Sequence, residues 1–346
     1  MIKVSIDTLI KSIVVMTFVL LLLSVYMVIK SIQEKAAAKK MKAYMQSTLD
    51  LWYRYLNGEI ALPKELIPSN DIEIEAIEEI FLSYINNISN LCIKDKIRVF
   101  SNQYLREHYL RLLTSKKWSL RMNALYRIID FEIDSLATEC RNMERKTKLS
   151  SGEHFLLLVI RSMFDETGFV KEFVSLSSKL SEYEFKKLLI GFSHETLEQL
   201  TYQMNDLPIT YQYYFIDILG VIRNLDFLPF LEDKLGDEKP EIRIRSLKAI
   251  HEIGVATDLN KYKIFLESPK WEERLMLAKL LGAFSLEQVY PYLEKLLQDE
   301  NWWVRYHAAQ TIGNSKDGKS RLEKFITTAK DQYAIEMARE VLEGVC

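Results

Sequence analysis

The sequence predicts an all-α protein: one N-terminal apolar helix long enough to cross a membrane, followed by a solenoid of stacked helix pairs. Three observations predict it. Arg243, Arg274 and Arg305 recur every 31 residues inside one apolar skeleton, and a fixed period in the range of roughly 20 to 50 residues marks solenoids, whose repeats cannot bury their apolar faces alone. Ser12 to Ile29 carries no charge and includes the apolar run Phe18 to Leu23. Only 11 glycines and 7 prolines punctuate 346 residues, which suits a chain made mostly of helix.

Residues 1–11 form a short tail and 12–30 the expected transmembrane anchor. Eighteen residues reach about 27 Å as a helix at ~1.5 Å each, close to the ~30 Å hydrocarbon core, and Lys11 and Lys30 stand where they can snorkel to the headgroups. A cleaved signal peptide is the rival reading, with Ala36, Ala37 and Ala38 as its small residues. Against it, the charged stretch Lys30 to Lys35 separates that site from the apolar run, which also exceeds the ~7–15 residues usual for such peptides. Flanking charge sets the orientation. Lys3 and Lys11 on one side, against Lys30, Lys35, Lys39, Lys40 and Lys42 on the other, place the following chain at the cytoplasmic face of the cell membrane. Cys92, Cys140 and Cys346 are few, odd in number and widely spaced, which fits a reducing compartment. In that compartment the sequon at Asn87, Ile88 and Ser89 is a chance match.

Residues 31–68 read as a helical stalk and linker. Ser31 to Leu56 continues the anchor through strong helix formers, Ala36 to Met41 among them, until Asn57-Gly58, Pro63 and Pro68 end it. Residues 69–164 read as N-terminal helical repeats. Ser69, Asn70 and Asp71 are candidate caps for an acidic helix from Ile72 to Tyr84, with Glu73, Glu75, Glu78 and Glu79 on its polar side, suited to close the end of a solenoid. Lys94 to Arg127 is locally basic, with Arg111, Lys116, Lys117 and Arg121 in a face interleaved by Tyr104, Tyr109, Trp118 and Tyr126. That composition suits a nucleic-acid surface or, beside an anchor, contact with anionic lipid; it is equally that of core aromatics beneath a solvated face.

Residues 165–346 carry the repeats of about 31 residues. Leu235, Leu266 and Leu297 precede the arginines by eight; Leu247, Ala278 and Ala309 follow by four; Ile250, Leu281 and Ile312 follow by seven. Stepping back by the same period lands on Leu197, Leu200, Met204, Ile216 and Leu219, then on Phe169, Phe173, Phe185 and Leu188, all apolar although the arginine has become Gln212 and then Ser181. Trp118 and Arg121 repeat the spacing of Trp271 with Arg274 and of Trp302 with Arg305, which implies a further repeat there. Each repeat reads as two short amphipathic helices. The second starts near Glu241, Glu272 or Trp303 and closes near Gly254, Gly282 or Gly313, where glycine can take a left-handed cap.

The pattern Leu297, Asp299, Val304, Arg305 and Ala308 resembles a HEAT repeat, in its short, phycobilisome-lyase-type form. The resemblance implies a superhelical stack of helix pairs in which the Asp and Arg of adjacent repeats form a ladder. Asp237 with Arg243 and Asp299 with Arg305 match that pair; Ser268 before Arg274 and Ser115 before Arg121 do not, so the ladder is expected to break at those two repeats.

Catalytic chemistry finds no support. The five histidines are scattered without helical ligand spacing, and there is no His-Glu-x-x-His, Cys-x-x-Cys, glycine-rich phosphate loop or Gly-x-Ser-x-Gly, so neither an enzyme nor a metal or cofactor is implied. The net charge is −2, and removing the basic first 42 residues leaves about −7 for the rest, against a general nucleic-acid binder. Trp302 shares its position with Trp118 and Trp271 and reads as structural. Trp303 has no aromatic counterpart in the other repeats and, with Tyr306 and Gln310, reads as a partner-binding surface. The expectation is a membrane-anchored, non-enzymatic scaffold or adaptor for a protein partner at the membrane. Two alternatives stand beside it: a nucleic-acid-binding or base-repair-like protein using the 94–127 face, and an accessory subunit of a membrane-bound enzyme complex such as a glycan synthase.

Overall fold

The structure, a computed structural model, describes residues 6–88, 90–145, 148–176 and 180–344. Ser89 of the sequon, Cys346 and the first five residues of the tail, Lys3 included, lie outside them. All regular structure among the described residues is helical, and the chain divides into two compact units, Met1–Phe164 and Asp165–Cys346.

In the N-terminal unit, α1 (Ile6–Leu56) is one uninterrupted helix of 51 residues. It is long and apolar enough to cross a membrane, and its side chains from Val15 to Ile32 are exposed. Beyond Tyr44 its role changes. Tyr44, Met45, Leu51 and Tyr55 pack on the core of this unit, and Trp52 and Leu56 are fully inside it. The stretch expected to be a free stalk is therefore free only from Lys30 to Tyr44, about 21 Å at ~1.5 Å per residue. Its last three turns are the first element of the folded unit, because an apolar helix face with no partner is unstable in water.

After α1 come α2 (Asp71–Asn87), α3 (Leu91–Phe100), α4 (Arg106–Leu113), α5 (Trp118–Asp130), α6 (Ala137–Glu144) and α7 (Ser151–Phe164). A single π-helical stretch, Ser101–Leu105, joins α3 to α4. Asn70 caps α2 by accepting from the amide of Glu73, whose carboxylate returns to the Ser69 amide and the Asn70 side chain. Trp52, Phe81, Phe100 and Phe131 form a chain of edge-to-face rings with centroids 5.0–5.7 Å apart at the centre of the unit. Glu78, expected on the polar side of α2, is instead buried. It accepts from the Tyr109 hydroxyl at 2.7 Å and from Arg127 Nε at 3.2 Å, and Arg127 also reaches Asp130, so the buried carboxylate is neutralised. Burial and the Glu78 carboxylate together push the Tyr109 phenol well above its ordinary value.

The C-terminal unit runs α8 (Glu166–Leu176), α9 (Glu182–Gly191), α10 (His194–Tyr202), α11 (Ile209–Ile222), α12 (Leu228–Asp233), α13 (Pro240–Ile253), α14 (Leu259–Tyr262), α15 (Trp271–Leu280), α16 (Leu286–Leu296), α17 (Trp302–Gly313), α18 (Gly318–Thr328) and α19 (Gln332–Glu343). α9, α11, α13, α15, α17 and α19 pack successively side by side as one layer, and α12, α16 and α18 each pack on the following helix from a second layer. Leu197, Leu200, Met204, Ile216, Leu219, Leu235, Leu247, Ile250, Ala278, Leu281, Ala309 and Ile312 are all buried, so the 31-residue skeleton is the spine shared by neighbouring repeats.

The glycines divide in a way the sequence did not predict. Gly254 caps α13 with φ of 82°, as expected. Gly282 instead lies in a 3-10 turn (Leu281–Ala283), and Gly313 is the last residue of α17, capped by Asn314 in right-handed geometry. Space explains them. A Cβ on Gly313 would stand 3.1 Å from Val341, and one on Gly282 would stand 3.4 Å from Thr311, so these glycines admit the next helix of the stack. Gly220 in α11 does so most sharply: its Cβ would meet Ala249 Cα of α13 at 2.8 Å.

Candidate functional site

The repeat arginines form the ladder, but in a different register from the motif. Arg243 Nη1 donates to the carbonyls of Asp237 at 2.8 Å and Glu238 at 3.1 Å, closing the turn before its own helix, while Nε reaches forward to Glu273 of the next repeat at 2.8 Å. Arg274 closes its turn at the Ser268 carbonyl and reaches forward to Asp299 with two bonds of 2.6 and 2.9 Å. Arg121 does the same with Ser115, Lys116 and Glu153. Each arginine therefore staples its own turn and hands its charge to the following repeat.

Of the two repeats where a break was expected, the ladder is intact at Ser268, whereas the Ser115 hydroxyl accepts the Lys117 amide and no acid stands in the first turn after it. Serine takes the place of the aspartate at 268, and Glu273, in the first turn of the next helix, accepts the arginine instead, steadied by the Ser268 hydroxyl. Ser150 and Glu153 repeat the device for Arg121. In the repeat before Arg243 the equivalent residue is Gln212, whose amide closes its turn at the Leu207 carbonyl but carries no charge to pass on. Asp237 consequently receives only the Lys239 amide. At the far end Arg305 closes its turn on Asp299 and Glu300, finds the ring of Tyr333 where an acid would stand, and leaves its Nε buried without a partner.

The basic stretch 94–127 is largely neutralised by its own unit. Arg98 pairs with Asp134, Arg106 with Glu139, Arg111 with Asp71, Arg121 with Glu153 and Arg127 with Glu78. Arg111 also holds the Asp71 carboxyl below the usual carboxylate range by its hydrogen bond. Lys96 donates to the Tyr55 carbonyl, and Lys116 and Lys117 stay exposed beside Trp118. Arg121 belongs to the ladder, and of the four basic residues singled out from the sequence only Lys116 and Lys117 present an unpaired charge to solvent.

The tryptophans of the repeats, unlike Trp52, are surface residues. Trp302, expected to be structural, is 42% exposed and Trp303 is 52% exposed, while Trp118 and Trp271 are exposed as well. The shared position is the first residue of a helix, where a side chain leans over the preceding turn and finds no neighbouring helix to bury it. In α17 the exposed rings gather: Trp302 stacks on Tyr306 with centroids 5.1 Å apart and planes 7° from parallel, and Trp303 meets Trp302 edge-on at 4.7 Å. Gln310 holds the Tyr306 hydroxyl at 2.5 Å, and the His307 ring lies 5.0 Å from that of Tyr306. Trp303, Tyr306 and Gln310 are thus brought together with Trp302 into one aromatic platform on the first turns of α17.

From the platform a groove of about 790 Å³ opens along the ends of α13, α15 and α17. No feature of the sequence pointed to it, because its side chains are gathered from three repeats. Among the described residues, no three of His, Cys, Asp and Glu stand together as a metal site would need.

A sequence-family profile for HEAT repeats matches residues 262–343. Over those residues the chain is similar to HEAT repeats. The match takes in α15 to α19, hence the platform and the ladder from Arg274 onward. No curated protein matches the chain. Among solved structures, an engineered protein from a structural genomics consortium aligns over 81% of this chain and 82% of its own with 14% identity and a TM-score of 0.28, which is too low to equate the two architectures. A stack of HEAT repeats is a helical scaffold of the kind used for protein interaction, and the chain joins it to a helix with the length and hydropathy of a membrane span.

Proposed function

We propose that this protein is a membrane-anchored, non-enzymatic scaffold that uses its HEAT repeats to hold a protein partner at the cytoplasmic face of the membrane. The observation that carries the reading is the aromatic platform. Three large rings held rigid by mutual stacking on one helix are costly to leave in water, and Trp and Tyr are the residues that dominate protein-binding hot spots. The exposed apolar length of α1 and the five lysines that follow or close it support the anchor and its orientation. A role as accessory subunit of a membrane-bound enzyme complex is one form of the same reading. The nucleic-acid alternative loses its footing, because five arginines of the basic stretch are committed to carboxylates.

Two measurements test this. The full chain, extracted in detergent, is expected to bring down a membrane protein that Trp302→Ala with Trp303→Ala fails to retain; equal recovery by both proteins would refute the platform. Cys92 is exposed and Cys140 buried, so in a Cys346→Ser background a membrane-impermeant maleimide reports topology. Labelling of Cys92 in intact cells, before permeabilisation, would refute the cytoplasmic placement.

A further inference from the structure

The groove beyond the platform has a charge character opposite to that of its surroundings. Residues 165–346 as a whole hold more Asp and Glu than Lys and Arg. Yet the groove is lined by His251 from α13, Lys279 from α15, His307, Gln310 and Thr311 from α17, and Lys316 from the turn after it, and by no carboxylate at all. Several cations elsewhere in the unit are matched: Lys186 has Asp217, Arg243 has Glu273, Lys261 has Glu232, Arg274 has Asp299 and Lys295 has Glu267. Lys279 and Lys316 have no such carboxylate partner among the described residues. Lys279 is moreover half-buried, where an unmatched charge costs most.

The titratable groups facing this spot reinforce each other. Burial, then Lys279 and then His251 hold the His307 imidazole down to about 4. Partial desolvation and Lys279 lower His251, opposed only by Glu252 on its own helix, whose carboxylate is engaged with Lys248. A set of cationic and potentially cationic groups that repel one another is completed by an anion.

We propose that the groove receives the carboxylates of an acidic segment of the protein partner, while an apolar residue of that segment rests on the platform. The two surfaces are continuous, since Gln310 lines the groove and bonds Tyr306 of the platform, and His307 lines it while touching the Tyr306 ring. A volume of about 790 Å³ admits acidic side chains with part of their backbone. The net negative charge of residues 165–346 as a whole disfavours a long polyanion such as nucleic acid and leaves a short acidic segment as the occupant. This inference rests on the scaffold reading and names the partner chemistry of the same face.

The test uses the full chain in detergent, with Trp fluorescence and calorimetry as readouts. The probes are a ten-residue peptide of Glu and Asp around one Leu, its Lys-substituted counterpart, inorganic phosphate and a single-stranded oligonucleotide. The acidic peptide is expected to bind and the lysine peptide is not; because bound carboxylates raise the depressed imidazoles back towards their ordinary range, binding should tighten as pH falls from 7 towards 5.5. Lys279→Glu should weaken binding at least tenfold, Lys279→Arg should restore it, and Lys116→Glu with Lys117→Glu should leave it unchanged. Unaltered circular dichroism guards against misfolding, and His307→Gln offers a second variant, expected to remove most of the pH dependence. The inference is overturned if Lys279→Glu binds the peptide as the native chain does, or if phosphate or the oligonucleotide binds in a Lys279-dependent way while the peptide does not. Partner recovery that depends on Trp302 and Trp303, with peptide binding blind to Lys279, would sink this inference and leave the scaffold standing; the converse would sink the scaffold and leave the anion groove.

Discussion

Asp299 and Asp237 occupy equivalent places in their repeats, yet the structure gives them different work, and exchanging each for alanine separates the two roles. Both side chains accept one amide in the turn before the helix: Asp299 from Asn301 at 2.9 Å, Asp237 from Lys239 at 2.8 Å. Asp299 alone also takes two bonds from Arg274, and the side chains of that pair are only 8% and 10% exposed. Losing the turn bond costs about 1 kcal/mol in either repeat. Removing Asp299 also leaves a buried guanidinium facing only the exposed Glu300, and breaking a buried pair by deleting one partner costs about 3–5 kcal/mol in all, the turn bond included. Asp299→Ala should therefore exceed Asp237→Ala by roughly 2–4 kcal/mol. Stacked repeats open locally, so the measurement is amide hydrogen exchange read by mass spectrometry on the intact chain in detergent. At about 1.4 kcal/mol per decade, the protected amides of α15 and α17 should exchange some 30- to 1000-fold faster in Asp299→Ala than α13 does in Asp237→Ala. Equal acceleration in the two variants would mean that each aspartate serves the arginine of its own repeat, and the forward register of the ladder would be wrong.

The same register makes Arg243 and Glu273 a coupled pair across repeats, so a double-mutant cycle with Arg243→Met and Glu273→Gln should show at least about 1 kcal/mol of coupling by urea unfolding, and simple additivity would contradict it. Gly220→Ala drives a methyl into the backbone of α13 and should destabilise by about 1–3 kcal/mol; a variant as stable as the parent would deny the close approach of α11 and α13. For His307 the folded value, about 4, lies below the ordinary 6.5, so between these pH values the unfolded chain holds more protons and stability rises with pH. Its share, up to about 3 kcal/mol, is complete above pH 6.5 and is lost as pH falls towards 4. His307→Gln should thus be the more stable protein at pH 4.5 relative to its own value at pH 7.5, and parallel acid profiles would refute this.

The apolar spine was legible because burial repeats. A side chain such as Leu247, Ala278 or Ala309 is inside whichever sequence surrounds it, so its spacing records the stack directly. The long apolar helix was legible for a similar reason, since a run of 18 uncharged residues from Ser12 to Ile29 has one composition throughout. The partners of polar residues were less so. Arg274 and Asp299 are 25 residues apart in sequence, and nothing in the local motif says that an arginine reaches forward to the next turn instead of back to its own. One signal was available: a glutamate stands in the first turn after Ser150 and after Ser268, where serine takes the place of the aspartate, although none follows Ser115. Tryptophan misled in the other direction. A shared position suggests a shared burial, whereas the first residue of a helix in this stack is open to solvent at 118, 271 and 302 alike.

The ladder also bears on how force and binding pass along the array. Every forward bond ties the start of one helix to the turn before the next or to that helix's first turn, so a partner pressing on α17 loads Asn301 and Asp299, and through them Arg274 and the Ser268 turn. From there the chain of charges continues through Glu273 to Arg243 and stops at Gln212, which has no forward partner. A perturbation at the platform is therefore expected to stiffen α13 to α17 together and to fade at α11. Exchange rates measured with and without the acidic peptide would show protection reaching α13; protection confined to α17, or spread evenly to α9, would mean that the ladder is a set of independent clasps and not a coupled series.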